Sequence, residues 1–174
     1  MQPTQPPHLW LHARILCAAL AMACAPTAPT GTPLPVGAPR ILFVGNSLTY
    51  ANDMPAMVAE IGRADGRPLG IASATAANSA LVDHLTQGSA TARIAQGGWA
   101  AVVLQQGPTP AGVCRDTLVL ATIALDIRIR AAGARTATLM TWPYAGFPDA
   151  FQWVHESAPA WMRQRKNCAK SSSF

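Results

Sequence analysis

Several absences narrow the classes of protein to which this 174-residue chain can belong. No two cysteines are separated by two residues, the spacing on which zinc and thioredoxin-like sites rely. Charged residues make up only 12% of the sequence, and no basic patch with interleaved aromatic residues is present. The net charge of +5 depends on four basic residues within positions 163–174 and falls to +1 without them. We therefore expect one apolar domain with no cofactor and no nucleic-acid partner.

No apolar run is long enough to cross a bilayer, so we expect no membrane span. The run "ILCAALAMACA" follows Arg14 and has the length of a signal-peptide core. We assign residues 1–25 as a signal peptide and expect an exported protein, periplasmic or secreted. Because "LAMAC" resembles a bacterial lipobox, Cys24 is a candidate lipid anchor.

Composition divides the remaining chain into three segments. Residues 26–39 form a linker rich in proline and threonine, which has too few large apolar side chains to build a core. Residues 40–162 carry the patterns of a folded domain. Residues 163–174 form an atypical basic and polar tail that holds both lysines of the chain.

Within the domain, predicted strands alternate with predicted helices. The apolar spacing of the first helix predicts a buried stripe of four residues: Met54, Met57, Val58 and Ile61. The predicted strands are 41–44, 68–75, 99–106 and 136–142, and the predicted helices are 53–65, 89–97, 115–132 and 149–162. This alternation is typical of an α/β domain with a parallel sheet between two helical layers.

Three predicted strands end in polar or Gly/Pro-rich loops, namely Gly45-Asn46-Ser47, Gln105-Gln106-Gly107-Pro108 and Thr141-Trp142-Pro143. Active sites of parallel sheets lie at the carboxyl ends of the strands. Ser47 could there serve as a nucleophile whose own N–H stabilises an oxyanion. The residues alone also allow Asn46 and Ser47 to be a turn and a helix cap.

Longer blocks resemble the SGNH/GDSL hydrolase family. "ILFVGNSLTY" resembles its first block, "SALVDHLTQGSATARIAQGGWAAVVLQQGPT" the middle of a bacterial subfamily, and "LMTWPYAGFPDAF" its next strand and loop. The resemblance implies a flavodoxin-like three-layer α/β/α fold. It also implies hydrolysis of esters, often acetyl groups on carbohydrates, so that the partner would be a small-molecule or carbohydrate ester.

By this resemblance Ser47 is the nucleophile and its N–H the first oxyanion donor. The family's second donor is a glycine N–H after the second strand, where this chain offers Asn78 or Ser79 instead. Its third donor is an asparagine amide after the third strand. The candidates at that place are Gln105, Gln106 and Thr109.

The sequence departs from the family because it contains no Asp-x-x-His, the block that supplies the catalytic base. His84 and His155 remain as candidates, although surface or packing roles suit both better. A fifth strand and a closing helix are also missing from the pattern. We therefore expect a C-terminally incomplete domain with impaired activity. The alternatives are a non-catalytic module that binds a sugar or acyl ligand on the same fold, and a phosphate-binding flavodoxin-like protein.

Overall fold

The computed structural model describes residues 34–107, residues 113–142 and His155. This part of the chain forms a four-stranded parallel sheet with the strand order β2-β1-β3-β4. The strands are β1 (Arg40–Gly45), β2 (Gly70–Thr75), β3 (Ala101–Gln105) and β4 (Arg135–Leu139). The helices are α1 (Ser47–Tyr50), α2 (Met54–Ala64), α3 (Leu81–Gln87), α4 (Ser89–Ala95) and α5 (Val113–Ala131).

The connections distribute the helices over both faces of the sheet. The crossover from β1 to β2 runs in the opposite direction along the sheet to those that lead to β3 and β4. Since crossovers between parallel strands are right-handed, α2 covers one face while α3, α4 and α5 cover the other. Helices α3 and α4 both pack against α5, as this arrangement requires. The predicted flavodoxin-like α/β/α architecture is confirmed.

The main core lies between the sheet and the layer of α3, α4 and α5. In the β1–β3 register, Leu42 pairs with Val102 and Val44 with Leu104, and all four side chains are almost completely buried. Alternation along a strand directs these four to one face. Helix α5 covers them with a buried stripe at helical spacing: Ala121, Leu125 and Ile129.

The first large helix forms as predicted but contacts the sheet through a different side. Pro55 and Gly62 of α2 are buried, whereas Met57 and Ile61, expected inside, are exposed. A Cβ atom at Gly62 would lie 2.8 Å from the carbonyl oxygen of Arg67. Because only glycine can lie this close to the turn after α2, a larger residue at position 62 would force that turn to shift.

Two further predictions differ from the structure or fall outside it. Helix α3 was not predicted, although Asp83 accepts a hydrogen bond from the Ala80 N–H at 2.8 Å and Gly88 ends the helix with φ +84°. The predicted helix 149–162, and with it the question of a fifth strand and closing helix, falls outside the described residues except for His155.

An aromatic contact holds the amino end of the sheet. The guanidinium of Arg40 lies over the ring of Trp99, 4.2 Å from its centroid. Trp99 is buried, and its indole N–H donates to the carbonyl of Arg93 at 2.9 Å. None of the helices in the described ranges has the length and apolar character needed to cross a membrane.

Candidate functional site

Ser47 lies at the carboxyl edge of the sheet, where the chain turns from β1 into a helix. Strand β1 ends at Gly45, and Ser47 is the first residue of α1. Asn46 caps that helix through its side-chain Oδ1, which accepts from the Leu48 N–H at 3.1 Å. The turn therefore takes its shape from the asparagine, the residue type that caps helix starts well.

The hydroxyl and the N–H of Ser47, which a nucleophile uses, make no hydrogen bond within the described residues. The residue is half-buried, and among the described residues neither its Oγ nor its N–H has a hydrogen-bond partner. A first-turn N–H has no acceptor within its own helix, which explains the second observation. Both groups can thus bind another molecule.

The loop after β2 is tied directly to this turn. The Asn46 side-chain Nδ2 donates to the carbonyl oxygen of Ser79 at 3.1 Å. Ser79 is buried, and its N–H donates to the Ala76 carbonyl at a long 3.4 Å. Asn78 is exposed and has φ +56°, a left-handed conformation that favours glycine and that asparagine tolerates. Within the described ranges, the Asn78 N–H donates no hydrogen bond.

Gln105, the last residue of β3, supports the turn from inside. Its side chain is 1% exposed, and its Oε1 accepts from the Asn46 N–H at 2.9 Å and from the Thr49 hydroxyl at 2.7 Å. Gly45 makes room for this contact, since a Cβ there would lie 2.5 Å from Gln105 Oε1. The Gln105 Nε2 is buried and has no partner among the described residues. In this conformation it does not face the open edge, where we expected an oxyanion donor.

Gln106 links three of the loops at the same edge. Its side-chain Oε1 accepts from the Leu81 N–H at the start of α3, at 2.8 Å. Its carbonyl oxygen accepts from the hydroxyl of Thr141, beyond β4, at 3.3 Å. Thr109, the remaining candidate donor, lies outside the described residues.

The two candidate histidines have different surroundings. His84 of α3 is 2% exposed, and its Nε2 donates to the Gly45 carbonyl at 2.8 Å. A carbonyl only accepts, so Nε2 carries the proton; Nδ1 is buried without a partner among the described residues. No hydrogen bond joins His84 to Ser47. His155 is exposed.

Neither a metal-binding cluster nor a group with a resolved pKa shift lies at this edge within the described residues. The described residues contain no group of three or more His, Cys, Asp or Glu side chains that could hold a metal ion. The resolved pKa shifts belong to an exposed pair on α2. There the hydrogen bond and the charge of Arg63 lower the pKa of Glu60, and Glu60 in turn raises the pKa of Arg63.

The sequence predictions located some parts of this edge and missed others. Ser47, Gln105 and Gln106 belong to loops predicted to meet there, whereas Asn78 and Ser79 lie in the loop after β2, which was not among the three. Their roles in binding or catalysis stay predictions. The contribution of Thr49 was not foreseen. A hydroxyl two residues after the serine was the available signal, but helix starts carry such residues for capping alone.

Comparison with solved structures finds similar folds. A protein from Slackia heliotrinireducens, provisionally described as an SGNH hydrolase, is 27% identical over 71% of this chain and 74% of its own, with a TM-score of 0.61. TesA is similar in fold at 20% identity over 70% of this chain and 73% of its own (TM-score 0.51).

LAE5, an alpha/beta hydrolase enzyme from the metagenome of Lake Arreo in Spain, is also similar in fold. It is 12% identical over 74% of this chain and 73% of its own, with a TM-score of 0.53. No protein-family model and no curated protein matches the chain.

Proposed function

We propose that this chain is a serine ester hydrolase of the SGNH/GDSL type with Ser47 as its nucleophile, and its similarity to a protein provisionally described as an SGNH hydrolase supports this. One observation carries the proposal. At the carboxyl edge of the sheet, the Oγ and N–H of Ser47 are unengaged among the described residues, while the turn around them is held by buried hydrogen bonds. A fixed backbone and an accessible hydroxyl suit a serine nucleophile, which also needs a base that activates it.

In the proposed reaction, Ser47 Oγ attacks the ester carbonyl and its proton passes through a general base to the departing alcohol, so that an acyl-serine forms. Water then hydrolyses the acyl-serine to the free acid and restores the Ser47 hydroxyl. The Ser47 N–H would bind the oxyanion. The Asn78 N–H is the better second donor, since the Ser79 N–H already donates to Ala76. Gln106 and Thr109 remain candidates for the third donor.

Two histidines are the candidates for the general base of this reaction. His84 Nε2 donates to the Gly45 carbonyl, and His155 is the other histidine of the domain. Since loss of a triad member typically costs orders of magnitude in rate, we expect turnover by this chain to be slow.

A fluorophosphonate probe tests the nucleophile without requiring turnover. We expect one label per chain, mapped to Ser47 by peptide mass spectrometry, and no label in Ser47→Ala. The control is Ser73→Ala, at a serine within β2. Labelling that survives in Ser47→Ala, or no labelling of the parent chain, would contradict the proposal.

Acyl and acetyl esters, including those of carbohydrates, are the substrate class that the family resemblance favours. Release of acetate from p-nitrophenyl acetate and from acetylated oligosaccharides should depend on Ser47. Release at the same rate from Ser47→Ala would exclude this class as a substrate of the site.

A non-catalytic binding module is the second candidate, and the engagement of His84 with Gly45 favours it. Such a module would bind an acetylated oligosaccharide in calorimetry and return it intact. Binding that Ser47→Trp removes, without detectable acetate release, would support the module over the enzyme.

We further propose that the protein is exported and that residues 1–25 are its signal peptide. Expression with the leader in a bacterial host should yield a mature chain outside the cytoplasm, starting between residues 24 and 29. A palmitate label that Cys24→Ser removes would add a lipid anchor. Cytoplasmic protein with Met1 intact would contradict export.

A further inference from the structure

The peptide group between Gly45 and Asn46 is hydrogen-bonded on both of its sides by buried groups. Its carbonyl oxygen accepts from the Ala76 N–H at 3.1 Å and from His84 Nε2 at 2.8 Å. Its N–H donates to Gln105 Oε1 at 2.9 Å. This peptide group lies just before Ser47, so its orientation determines the direction in which the backbone enters Ser47.

The two side chains reach this peptide group from different layers of the fold. Gln105 belongs to β3, next to β1 in the sheet. His84 belongs to α3, in the helical layer whose Leu81 packs in the main core with Leu42. A rotation of the peptide plane would break hydrogen bonds to both layers together.

Each of the two side chains also leaves one buried polar atom without a partner among the described residues. These atoms are His84 Nδ1 and Gln105 Nε2. A buried polar atom with no partner is unfavourable for folding, and an apolar side chain of similar size would avoid that cost. The pair is therefore poorly explained as a device for stability alone.

We propose that His84 and Gln105 are positioning residues, which hold the Gly45–Asn46 peptide so that the Ser47 Oγ and N–H point to the same side of the carboxyl edge. The proposal rests on the proposed role of Ser47 as nucleophile. Neither residue contacts the substrate; both act through the turn. His84, considered as a general base in the sequence analysis, would then have a positioning role instead.

A pair of histidine variants tests the proposal. The amide nitrogen of glutamine can replace His Nε2, whereas that of asparagine corresponds to Nδ1 and does not reach the Gly45 carbonyl. We expect His84→Gln to retain most of the fluorophosphonate labelling rate. His84→Asn should lower it by about 10-fold to 10²-fold, as a small misplacement of a reacting group does. A matched control is Ile129→Val, in the core near the amino end of the sheet, compared at equal fractions of folded protein.

The other side of the peptide group has an independent spectroscopic readout. In Gln105→Met the Asn46 N–H loses its acceptor, so its hydrogen exchange should accelerate more than that of β1 amides. The Ser47 labelling rate should fall with it. If the parent chain is labelled but His84→Asn and Gln105→Met are labelled at its rate, the positioning proposal is wrong and the nucleophile stands. If the parent chain is not labelled at Ser47, the proposed function fails first and the positioning role fails with it.

Discussion

The two ends of the sheet are held by different kinds of contact. At the amino end, an aromatic ring is buried, and its polar partners are an exposed guanidinium and a backbone carbonyl. At the carboxyl end, amide and imidazole side chains are buried, and two of their atoms lack partners within the described ranges. Within the described residues, the buried indole at the first end has a hydrogen-bond partner, whereas the second end contains two buried polar atoms without one. If the proposed positioning role is right, the amino end contributes mainly to stability and the carboxyl end to the geometry around Ser47.

The largest expected effect is on stability, at the amino end. Trp99→Ala should lower the free energy of unfolding by about 3–5 kcal/mol, because it removes a buried indole and leaves a cavity. Urea denaturation followed by circular dichroism measures this. Trp99→Phe is the milder control should the alanine variant fail to fold. In Trp99→Phe the labelling rate of Ser47 per folded molecule should be unchanged. A fall in that rate would show that the two ends of the sheet do not act separately.

The next effect is at the carboxyl end. Gly45→Ala would bring a Cβ to 2.5 Å from both Gln105 Oε1 and Thr49 Oγ1. We expect a loss of about 1–3 kcal/mol in unfolding free energy from overpacking, together with a fall in Ser47 labelling.

Gly107→Ala is the matched control for that variant, because a Cβ there makes an ordinary contact of 3.9 Å with the Asn46 side chain. It should change neither quantity appreciably. Equal behaviour of the two alanine variants would contradict the assignment of this geometry to Gly45.

A smaller effect concerns the cation–π contact. Arg40→Gln should lower the unfolding free energy by about 0.5–1 kcal/mol, the range for exposed pairs of this kind. Arg135→Gln, at the exposed first position of β4, serves as the control. In a double-mutant cycle with Trp99→Leu the loss should shrink towards zero, and an undiminished loss would assign it to something other than the ring.

The smallest effect lies outside both ends, on α2. Arg63 lowers the pKa of Glu60, so the pair stabilises the fold above the ordinary glutamate pKa, and this contribution disappears as the pH falls through the lowered value. Glu60→Gln should therefore differ from the parent chain only slightly at neutral pH and not at all in strong acid. Because both side chains are exposed, added salt should weaken the difference. A difference that grows on acidification would have the wrong sign.

Local sequence patterns predicted the elements better than the faces they bury. The apolar runs at 41–44 and 99–106 became β1 and β3, since a short run of large apolar residues has few stable places other than a buried strand. The stripe predicted for α2 was only partly right, because Met54 and Val58 are half-buried whereas Met57 and Ile61 are exposed. Helix α3 was missed although Asp83 in its first turn and Gly88 at its end are both typical of helix boundaries.

The alternation of strands and helices, the resemblance to SGNH/GDSL hydrolases, and the position of Ser47 directly after a buried strand could all be inferred from the sequence. Local composition and spacing encode each of these. The surroundings of the serine depend on contacts between residues that are far apart in the chain. His84 meets a carbonyl 39 positions away, and Gln105 meets an N–H 59 positions away. Those contacts depend on β1 lying between β2 and β3, an order that no local pattern specifies.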